Sequence, residues 1–228
     1  MADSPESASI KRRTGPTVTL DPPPEVEPES EQVEVVFERR RVRPQINVDA
    51  LRTLNHTPGW ARRMADETGR PYKVCIVGFT EHRRLAPFED PDFQIWGCNK
   101  LWQLEDRPFD RIYDPHPIGD IRDGDPPQAD WLARGQTPTY TVAQQADWPS
   151  SIAMPAEDIM EHFGSRYFTN TISWMIAHAL FEGPPDELWV VGVDMAVIGA
   201  DGQNGEYQNQ RPSCEAWIGY AEGVMGKK

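Results

Sequence analysis

The chain has 228 residues, of which 38% are hydrophobic and 26% charged, and its formal net charge is −13. This length fits one ordinary domain with a tail, or two small domains. No run of about 18 apolar residues is present, which excludes a membrane-spanning helix. The acidic, polar segment 1–10 lacks the apolar core of a secretory signal. We therefore expect a cytoplasmic protein without a membrane partner.

The negative charge is concentrated in the later part of the chain. Residues 1–70 contain 11 basic and 12 acidic residues, whereas residues 71–228 contain 12 basic and 24 acidic residues. Proteins bind duplex nucleic acid by neutralising its phosphates with lysine and arginine. The acidic second part therefore predicts that nucleic acid is not a partner.

The first 45 residues are predicted to form a disordered arm. They are rich in proline and acidic residues, and such a segment cannot bury enough apolar surface to offset chain entropy. Within the arm, VEVVFERRRVRP (33–44) alternates apolar and charged residues, as in an edge strand or a segment that orders on a protein partner. The Arg39–Arg43 cluster suits an acidic partner surface, although solvated charge is the simpler interpretation.

A helical lead-in is predicted over residues 46–71, where Pro58-Gly59 interrupts the helical pattern. The remaining residues, 72–228, have the pattern of an α/β domain. Short, nearly continuous apolar runs are typical of strands buried on both faces. Five runs are interpreted as strands: KVCIVGF (73–79), FQIWGCN (93–99), FDRIYDPHP (109–117), PTYTV (138–142) and ELWVVGVDM (187–195).

Helices are predicted over Pro155–Gly164, Thr169–Gly183 and Pro212–Gly223. The second is the clearest, because its apolar residues recur at helical spacing and a Gly-Pro pair ends it. Strands separated by helices imply right-handed crossovers between parallel strands. The predicted fold class is therefore α/β, a Rossmann-like and mostly parallel sheet with helices on both faces, preceded by the disordered arm.

Three cysteines, Cys75, Cys98 and Cys214, are widely spaced in the chain. They form neither a Cys-x-x-Cys pair nor a zinc-type spacing with histidine, so no metal site is predicted. Cys75 and Cys98 fall in predicted strands and are interpreted as small buried hydrophobic residues. A reducing compartment fits this usage.

Ligands of such sheets bind outside the carboxyl ends of the strands. Phe79 and Thr80 follow the first predicted strand, without a Gly-x-Gly-x-x-Gly fingerprint. Asn99 follows the second, and Gly192 follows the strand that begins at residue 187. These four residues are candidate nucleotide contacts, with helix capping as the alternative role for Asn99.

Three further residues are candidates for contact with phosphate. Thr169 and Asn170 open the longest predicted helix, and a helix N-terminus favours phosphate through its N–H groups and its dipole. The planar guanidinium of Arg211 suits a phosphate or a carboxylate. Helix capping is the alternative for Thr169, and a salt bridge to a nearby acid is the alternative for Arg211.

Two side chains are candidates for catalysis. His116 lies between two prolines in the sequence DPHP, and a rigidly held, exposed histidine is a candidate general base near neutral pH. Asp194 follows the strand that begins at residue 187. The alternatives are a structural role for His116 and a turn cap for Asp194. By contrast, we interpret His178 as a packing residue and Trp96, Trp174 and Trp189 as core.

Two parts of the domain resemble the bacterial CMP-sialic-acid-dependent sialyltransferases. FTNTISWMIAHAL followed by ELWVVGVDM is similar to a stretch where a Thr-Ser-Gly turn opens a helix leading to a strand that ends in Gly-x-Asp. KVCIVGFT and WGCNKLW are similar to that family's first strand and to its Cys-Asn pair. The resemblance implies that four residues contact a cytidine nucleotide: Thr80, Asn99, Thr169 and Asn170.

The chain departs from that family at two places. Gly78-Phe79-Thr80-Glu81 replaces the family's Gly-x-Gly-Pro-Ser loop and puts an acid where phosphates approach. No histidine is evident where the family places its base. The family's pair of phosphate-binding tyrosines is also not evident, and Tyr207 is at most one of that pair. The expected fold does not depend on these positions.

A more specific resemblance covers residues 73–223. APFEDPDFQIWGCN (86–99) and YQNQRPSCEAWIGYAEG (207–223) are similar to uncharacterised proteins of tailed bacteriophages. This resemblance implies a phage origin and names no activity.

The leading hypothesis is a phage-encoded Rossmann-like protein that binds a nucleotide or a nucleotide sugar and acts as a glycosyltransferase. The helix from Thr169 holds the phosphates, Asn99 the base or ribose, and Arg211 offsets charge on the leaving phosphate. His116 or Asp194 then deprotonates an acceptor hydroxyl. The alternative is a non-catalytic phage component, virion-associated or host-interacting, that docks through its arm. A methyltransferase is a third and weaker hypothesis.

Overall fold

The computed structural model describes residues 47–103, 109–135, 137–195 and 207–226. The arm predicted to be disordered, including the segment 33–44, lies outside these residues. The fold reported below is that of the described residues.

Six strands form one parallel sheet in the order β5-β4-β3-β2-β1-β6. From β1 to β5 each strand is added on the same side, and the chain then returns to place β6 beside β1. The direction of the connections therefore reverses between β1 and β6, which makes this junction the switch point of the sheet. The strands are β1 Lys73–Val77, β2 Phe93–Cys98, β3 Arg111–Asp114, β4 Thr139–Thr141, β5 Ser151–Ala153 and β6 Glu187–Val191.

Seven α-helices and two 3₁₀-helices are present among the described residues. The α-helices are α1 Val48–Leu54, α2 Trp60–Thr68, α3 Ile118–Gly124, α4 Pro126–Arg134, α5 Ala156–Phe163, α6 Thr171–Phe181 and α7 Tyr207–Val224. The 3₁₀-helices follow β1 and β2, over Glu81–Leu85 and Asn99–Gln103. None of these helices combines the length and the apolar character needed to cross a membrane.

Helices cover both faces of the sheet. The hydroxyl of Tyr113 lies 3.0 Å from Nδ1 of His178 in α6, whereas the next residue, Asp114, accepts a hydrogen bond from Gln128 in α4. Successive residues of a strand point to opposite faces. The helices α6 and α4 therefore pack on opposite faces, and the predicted Rossmann-like α/β fold class is confirmed.

The main hydrophobic core lies between the sheet and α6. Val74–Val77 of β1 are completely buried, as expected of a strand covered on both faces. In α6, the five apolar positions that predicted the helix are all buried: Ile172, Met175, Ile176, Ala179 and Leu180. Burying a side chain of this size stabilises a fold by about 1.5–3 kcal/mol, so α6 is central to stability.

The lead-in helices belong to the same core, and α1 closes the outer edge of β5. Leu51 of α1 and Trp60 of α2 are buried in the main core. At the outer edge of β5, the Arg52 guanidinium donates to the carbonyls of Pro149 and Ser151 at 2.7 and 2.9 Å. The Asn55 amide donates to the carbonyl of Ala153 at 2.8 Å. The side chains of Arg52 in α1 and of its C-cap Asn55 thus cover the edge of β5, which blocks a further strand.

A charged pair is buried between α6 and the sheet. Arg111 donates to Oε1 of Glu182 at 2.6 Å, and the hydroxyl of Tyr72 donates to Oε2 at 3.1 Å. The Arg111 guanidinium also lies 4.6 Å from the ring centroid of Trp96. His178 Nε2 lies 3.4 Å from Glu182 Oε1 without hydrogen-bonding geometry. These partners offset the cost of burying both charges.

Several sequence predictions need correction. The strand β5 and the helices α3 and α4 were not predicted, because β5 has three residues and the stretch before β4 is rich in aspartate, glycine and proline. The helix α7 begins at Tyr207, five residues before the predicted start. Trp189 was predicted to be core but is 41% exposed, because β6 is an edge strand.

Candidate functional site

The carboxyl ends of the parallel strands meet at one edge of the sheet. The register pairs Val77 of β1 with Gly97 of β2 and with Val191 of β6, and Cys98 of β2 with Tyr113 of β3. The residues that follow these four strands therefore lie side by side, in the order β6, β1, β2, β3. The predicted site residues fall into three groups: Phe79, Thr80, Gly192 and Asp194 at the switch point, Asn99 and His116 after β2 and β3, and Thr169, Asn170 and Arg211 where α6 meets α7.

The backbones after β1 and β6 pack directly against each other at the switch point. The Gly78 N–H donates to the Val191 carbonyl at 2.8 Å, and the Thr80 N–H donates to the Gly192 carbonyl at 3.0 Å. A Cβ atom added at Gly78 would lie 2.3 Å from the Gly192 oxygen. Gly78 therefore allows the two loops to approach each other. Gly192 is buried, with φ of 70°. Its carbonyl is used within the protein, where it accepts the hydrogen bond from the Thr80 N–H.

A cavity of about 680 Å³ opens beside this junction, and we call it the switch-point cavity. Phe79 and Leu85 contribute exposed apolar surface to it, with 50% and 66% of each residue exposed. The hydroxyl oxygen of Thr80 is buried and has no hydrogen-bond partner among the described residues. The lining residues are Phe79, Thr80, Glu81, His82, Arg83, Arg84, Leu85 and Asp194.

Three consecutive basic residues line this cavity, although the domain as a whole is strongly acidic. Arg83 donates to the carbonyls of Phe79 and Thr80 at 2.6 and 3.3 Å, which fixes the loop after β1. Arg84 is largely exposed, and its guanidinium lies 4.0 Å from Glu81. His82 lies 3.4 Å from Asp194, so this candidate general base, which lines the cavity, is placed next to a histidine.

Asn99 connects the end of β2 to the start of α6. Its φ of 48° lies in the left-handed region, which asparagine tolerates better than most residues. The Thr171 hydroxyl donates to its side-chain oxygen at 3.3 Å. The predicted nucleotide contact Asn99 is therefore held next to the N-terminus of α6.

Thr169 and Asn170 hold the N-terminus of α6 against α7. Oδ1 of Asn170 accepts a hydrogen bond from the Ser173 N–H at 2.8 Å, so Asn170 is the N-cap of the helix. Its amide donates to the Gln210 carbonyl at 2.8 Å, and the Thr169 hydroxyl donates to the same carbonyl at 3.3 Å. Both predicted phosphate contacts therefore have partners within the chain.

Arg211 forms an ion pair within α7. Its Nε lies 2.7 Å from Oε1 of Glu215, one helical turn away, and both side chains are about half exposed. This is the salt bridge that the sequence left open as the alternative. Exposed pairs of this kind are weak, typically about 0.3–0.5 kcal/mol on a helix, so a ligand phosphate can compete for the guanidinium.

A hydrogen-bonded group of polar side chains lies at the end of β3. His116 Nδ1 lies 2.5 Å from Oδ1 of Asp114, whose other oxygen accepts a hydrogen bond from the Gln128 amide. The Asp114 side chain is only 2% exposed, whereas 55% of the His116 side chain is exposed. A buried carboxylate thus orients a partly exposed imidazole, an arrangement that suits a general base.

Cys98 lies near this pair but is not a nucleophile in this state. Burial, and then the negative charge of Asp114, raise the pKa of Cys98 to about 12. The thiolate is the reactive form of cysteine. The prediction that Cys75 and Cys98 are buried strand residues is confirmed, and neither forms a disulfide bond.

The sequence interpretation missed several residues of this edge. Gln128 was missed because it lies in a helix that was not predicted. His82, Arg83 and Arg84 form a basic run directly after the first-strand loop, which is a readable signal in an acidic domain. Lys100 was also missed, and its amine lies 2.6 Å from Asp125, the N-cap of α4. No group of three or more histidine, cysteine or acidic side chains suited to a metal occurs among the described residues.

Comparison of the chain with family models, curated proteins and solved structures finds no match. The functional conclusion therefore depends on the geometry of the site.

Proposed function

We propose that this Rossmann-like protein is a phage-encoded glycosyltransferase that binds a nucleotide sugar at the carboxyl edge of its sheet. The observation that carries the proposal is the Gln128–Asp114–His116 arrangement, in which a buried carboxylate orients an exposed imidazole. The resemblance of residues 73–223 to tailed-phage proteins supports the proposed origin and a location in the host cytoplasm.

His116 acts as the general base in this mechanism. Its Nδ1–H donates to Asp114, and Nε2 accepts the proton of an acceptor hydroxyl. As that hydroxyl oxygen forms a bond to the anomeric carbon of the sugar, the bond between this carbon and the nucleotide phosphate breaks. The phosphate leaves with the bonding electrons. Positioned bases of this kind contribute about 10²–10⁴-fold to a rate.

The remaining site residues support binding of the nucleotide. The switch-point cavity combines basic and exposed apolar side chains, which suits a ligand with both phosphate and a planar base. Asn99, held by Thr171 between this cavity and Asp114, is suited to contact the ribose or the sugar. Asp194 belongs to the cavity in this arrangement and not to the catalytic group, because its basic partner is His82.

The test is a His116→Ala variant assayed for sugar transfer, after a thermal-shift screen of nucleotides and nucleotide sugars has identified a donor. We expect transfer to fall by about 10²–10⁴-fold while donor binding is retained. The matched control is His56→Ala, since His56 also lies 2.5 Å from a carboxylate, that of Asp158, but next to β5. Equal activity of the His116 variant and the wild type would refute the proposed base.

A non-catalytic role is the second candidate, and three intrachain contacts favour it. Asn170 caps α6, Arg211 pairs with Glu215, and Gly192 occupies the space beside Gly78. Side chains expected to meet a ligand are therefore engaged within the protein. In this role residues 1–45 dock onto a virion or host partner. Deleting them distinguishes the two candidates, because only the docking role predicts loss of a partner with nucleotide binding unchanged.

A further inference from the structure

We infer that the switch-point cavity is a subsite for the diphosphate of a nucleoside diphosphate, held by Arg84, His82 and the Thr80 hydroxyl. The inference rests on the proposed function for the identity of the ligand as a nucleotide. It differs from the sequence hypothesis, in which the N-terminus of α6 holds the phosphates.

The position of the cavity is the first reason. It opens between the loops after β1 and β6, where the connections of the sheet reverse direction. Open parallel sheets leave a crevice at this junction, because the chain leaves the two neighbouring strands in opposite directions. The α6 N-terminus is less suitable, since the Asn170 side chain already accepts from a backbone N–H there.

The available basic side chains are the second reason. Arg83 is held by two carbonyls of its own loop, which rigidifies the cavity wall. Arg84 and His82 have exposed side chains, 74% and 68%, and their acidic partners are 4.0 and 3.4 Å away. Exposed ion pairs at such distances are weak. A diphosphate carries more negative charge than one carboxylate and presents several acceptor oxygens, so it competes effectively with Glu81 and Asp194.

The Thr80 hydroxyl is the third reason. Its oxygen is buried and has no partner among the described residues, while the Thr80 backbone N–H is used by the Gly192 carbonyl. A buried hydroxyl without a partner is unfavourable. Thr80 lines the cavity, so a phosphate oxygen placed there accepts the hydroxyl hydrogen and removes this cost.

The apolar lining favours a nucleoside phosphate over free phosphate. Phe79 and Leu85 expose 50% and 66% of their surface at the cavity. An aromatic ring next to basic side chains is suited to stack on a nucleobase. A nucleoside diphosphate places its base on Phe79 and its phosphates against Arg84 and His82.

The distance to His116 favours a diphosphate over a monophosphate. His116 follows β3, and β2 lies between β3 and β1. Two strand spacings, together about 10 Å, therefore separate the cavity from the general base His116. In a nucleoside monophosphate sugar the only phosphate is bonded to the reacting carbon. In a nucleoside diphosphate sugar a second phosphate spans part of this separation, so the nucleoside remains at the cavity while the sugar reaches His116.

The test measures binding by titration calorimetry with four nucleoside diphosphates (ADP, GDP, UDP and CDP), CMP and inorganic pyrophosphate. The variants are Arg84→Glu, His82→Ala and the near-isosteric Thr80→Val. The control is Arg166→Glu, because Arg166 is equally exposed and lies 3.7 Å from Glu157 of α5, not at the cavity. We expect one nucleoside diphosphate to bind the wild type, and Arg84→Glu to weaken it roughly tenfold to a hundredfold.

The outcomes separate this inference from the proposed function. If Arg84→Glu and Thr80→Val both bind the nucleoside diphosphate within twofold of the wild-type affinity, the cavity is not the subsite. The proposed function is unaffected by that result, because it depends on transfer that requires His116. Binding of pyrophosphate that requires Arg84, without binding of any nucleotide, supports a diphosphate subsite and contradicts the nucleotide function. Tighter binding of CMP than of every nucleoside diphosphate, or no binding of any probe, overturns the inference.

Discussion

The imidazole Nδ1 of His178 lies 3.0 Å from the hydroxyl of Tyr113, and both side chains are buried between α6 and the sheet. Burial, and then the positive charge of Arg111, lower the pKa of His178 well below its usual value. The folded protein therefore keeps this histidine neutral at pH values where the unfolded chain binds a proton. His178 links the stability of the fold to pH.

The first prediction concerns acid sensitivity. Below an unfolded pKa of about 6.5 the unfolded state binds one proton more than the folded state, so the free energy of unfolding falls as the pH falls. From pH 7.5 to pH 5.5 this histidine lowers the free energy of unfolding by at most about 1.4 kcal/mol. His178→Asn retains a polar group near Tyr113 and removes the titration. Urea unfolding at both pH values should show that the free energy of unfolding of this variant falls less with pH than that of the wild type, by up to this amount. An equal fall in both proteins would contradict the link between His178 and pH.

The second prediction concerns Asp114. In Asp114→Asn the carboxylate that accepts from Nδ1 of His116 is lost, and the tautomer with an unprotonated Nε2 is no longer favoured. We expect kcat for sugar transfer to fall by roughly 10²-fold, within the range of general-base catalysis, with KM for the donor little changed. Steady-state kinetics and the ¹⁵N chemical shifts of the imidazole report the two effects separately. A normal kcat in a folded variant would exclude Asp114 as the residue that positions the base.

The third prediction concerns the contact between the loops after β1 and β6. In Gly78→Ala the added methyl group meets the backbone of Gly192, with the oxygen only 2.3 Å away, so one loop must move. Overpacking of this kind typically costs about 1–3 kcal/mol. Gly119→Ala in α3 is the control, because nothing lies within 4 Å of its added methyl group and alanine favours a helix. Urea midpoints should fall for the first variant and stay level or rise for the second.

The fourth prediction concerns thiol reactivity. All three cysteines are buried. Burial raises the pKa of Cys214 to about 11, with a further contribution from Glu215, compared with about 12 for Cys98. We expect slow labelling of the native protein by a thiol reagent, with Cys214 modified first because its thiol has the lower pKa and α7 has an exposed face. Mass spectrometry of partly labelled protein identifies the site, and initial modification of Cys98 would contradict the described packing.

The strands that set the fold were predictable because their apolar runs are continuous. KVCIV and FQIWGC are almost entirely buried in the structure, and buried parallel strands leave this pattern in a sequence. The strand β5 has only Ser151-Ile152-Ala153, which is too short for a period to be recognised. It is stabilised by pairing with β4 and by the side chains of α1, 97 to 99 residues away in the chain.

The candidate site was predictable only where its residues lie close together in the chain. Asp114 and His116 are two residues apart in the chain, so a contact between their side chains is expected from the sequence DPHP alone. Gln128 lies 14 residues from Asp114, in an unpredicted helix, and its contact depends on tertiary packing. For Arg211 the sequence offered two partners, a phosphate or a nearby acid, and the structure pairs it with Glu215.

The contacts of Arg52 and Asn55 with the carbonyls of β5 make the two margins of the sheet chemically unequal. At the β5 edge, side chains already occupy backbone carbonyls that an incoming strand would use as hydrogen-bond acceptors. At the other margin β6 pairs with β1, and no described strand pairs with its far side. If molecules of this protein associate by strand addition, the sheet can therefore grow in one direction only. The self-complementary product is then a pair joined through β6, since Arg52 and Asn55 cover the opposite edge.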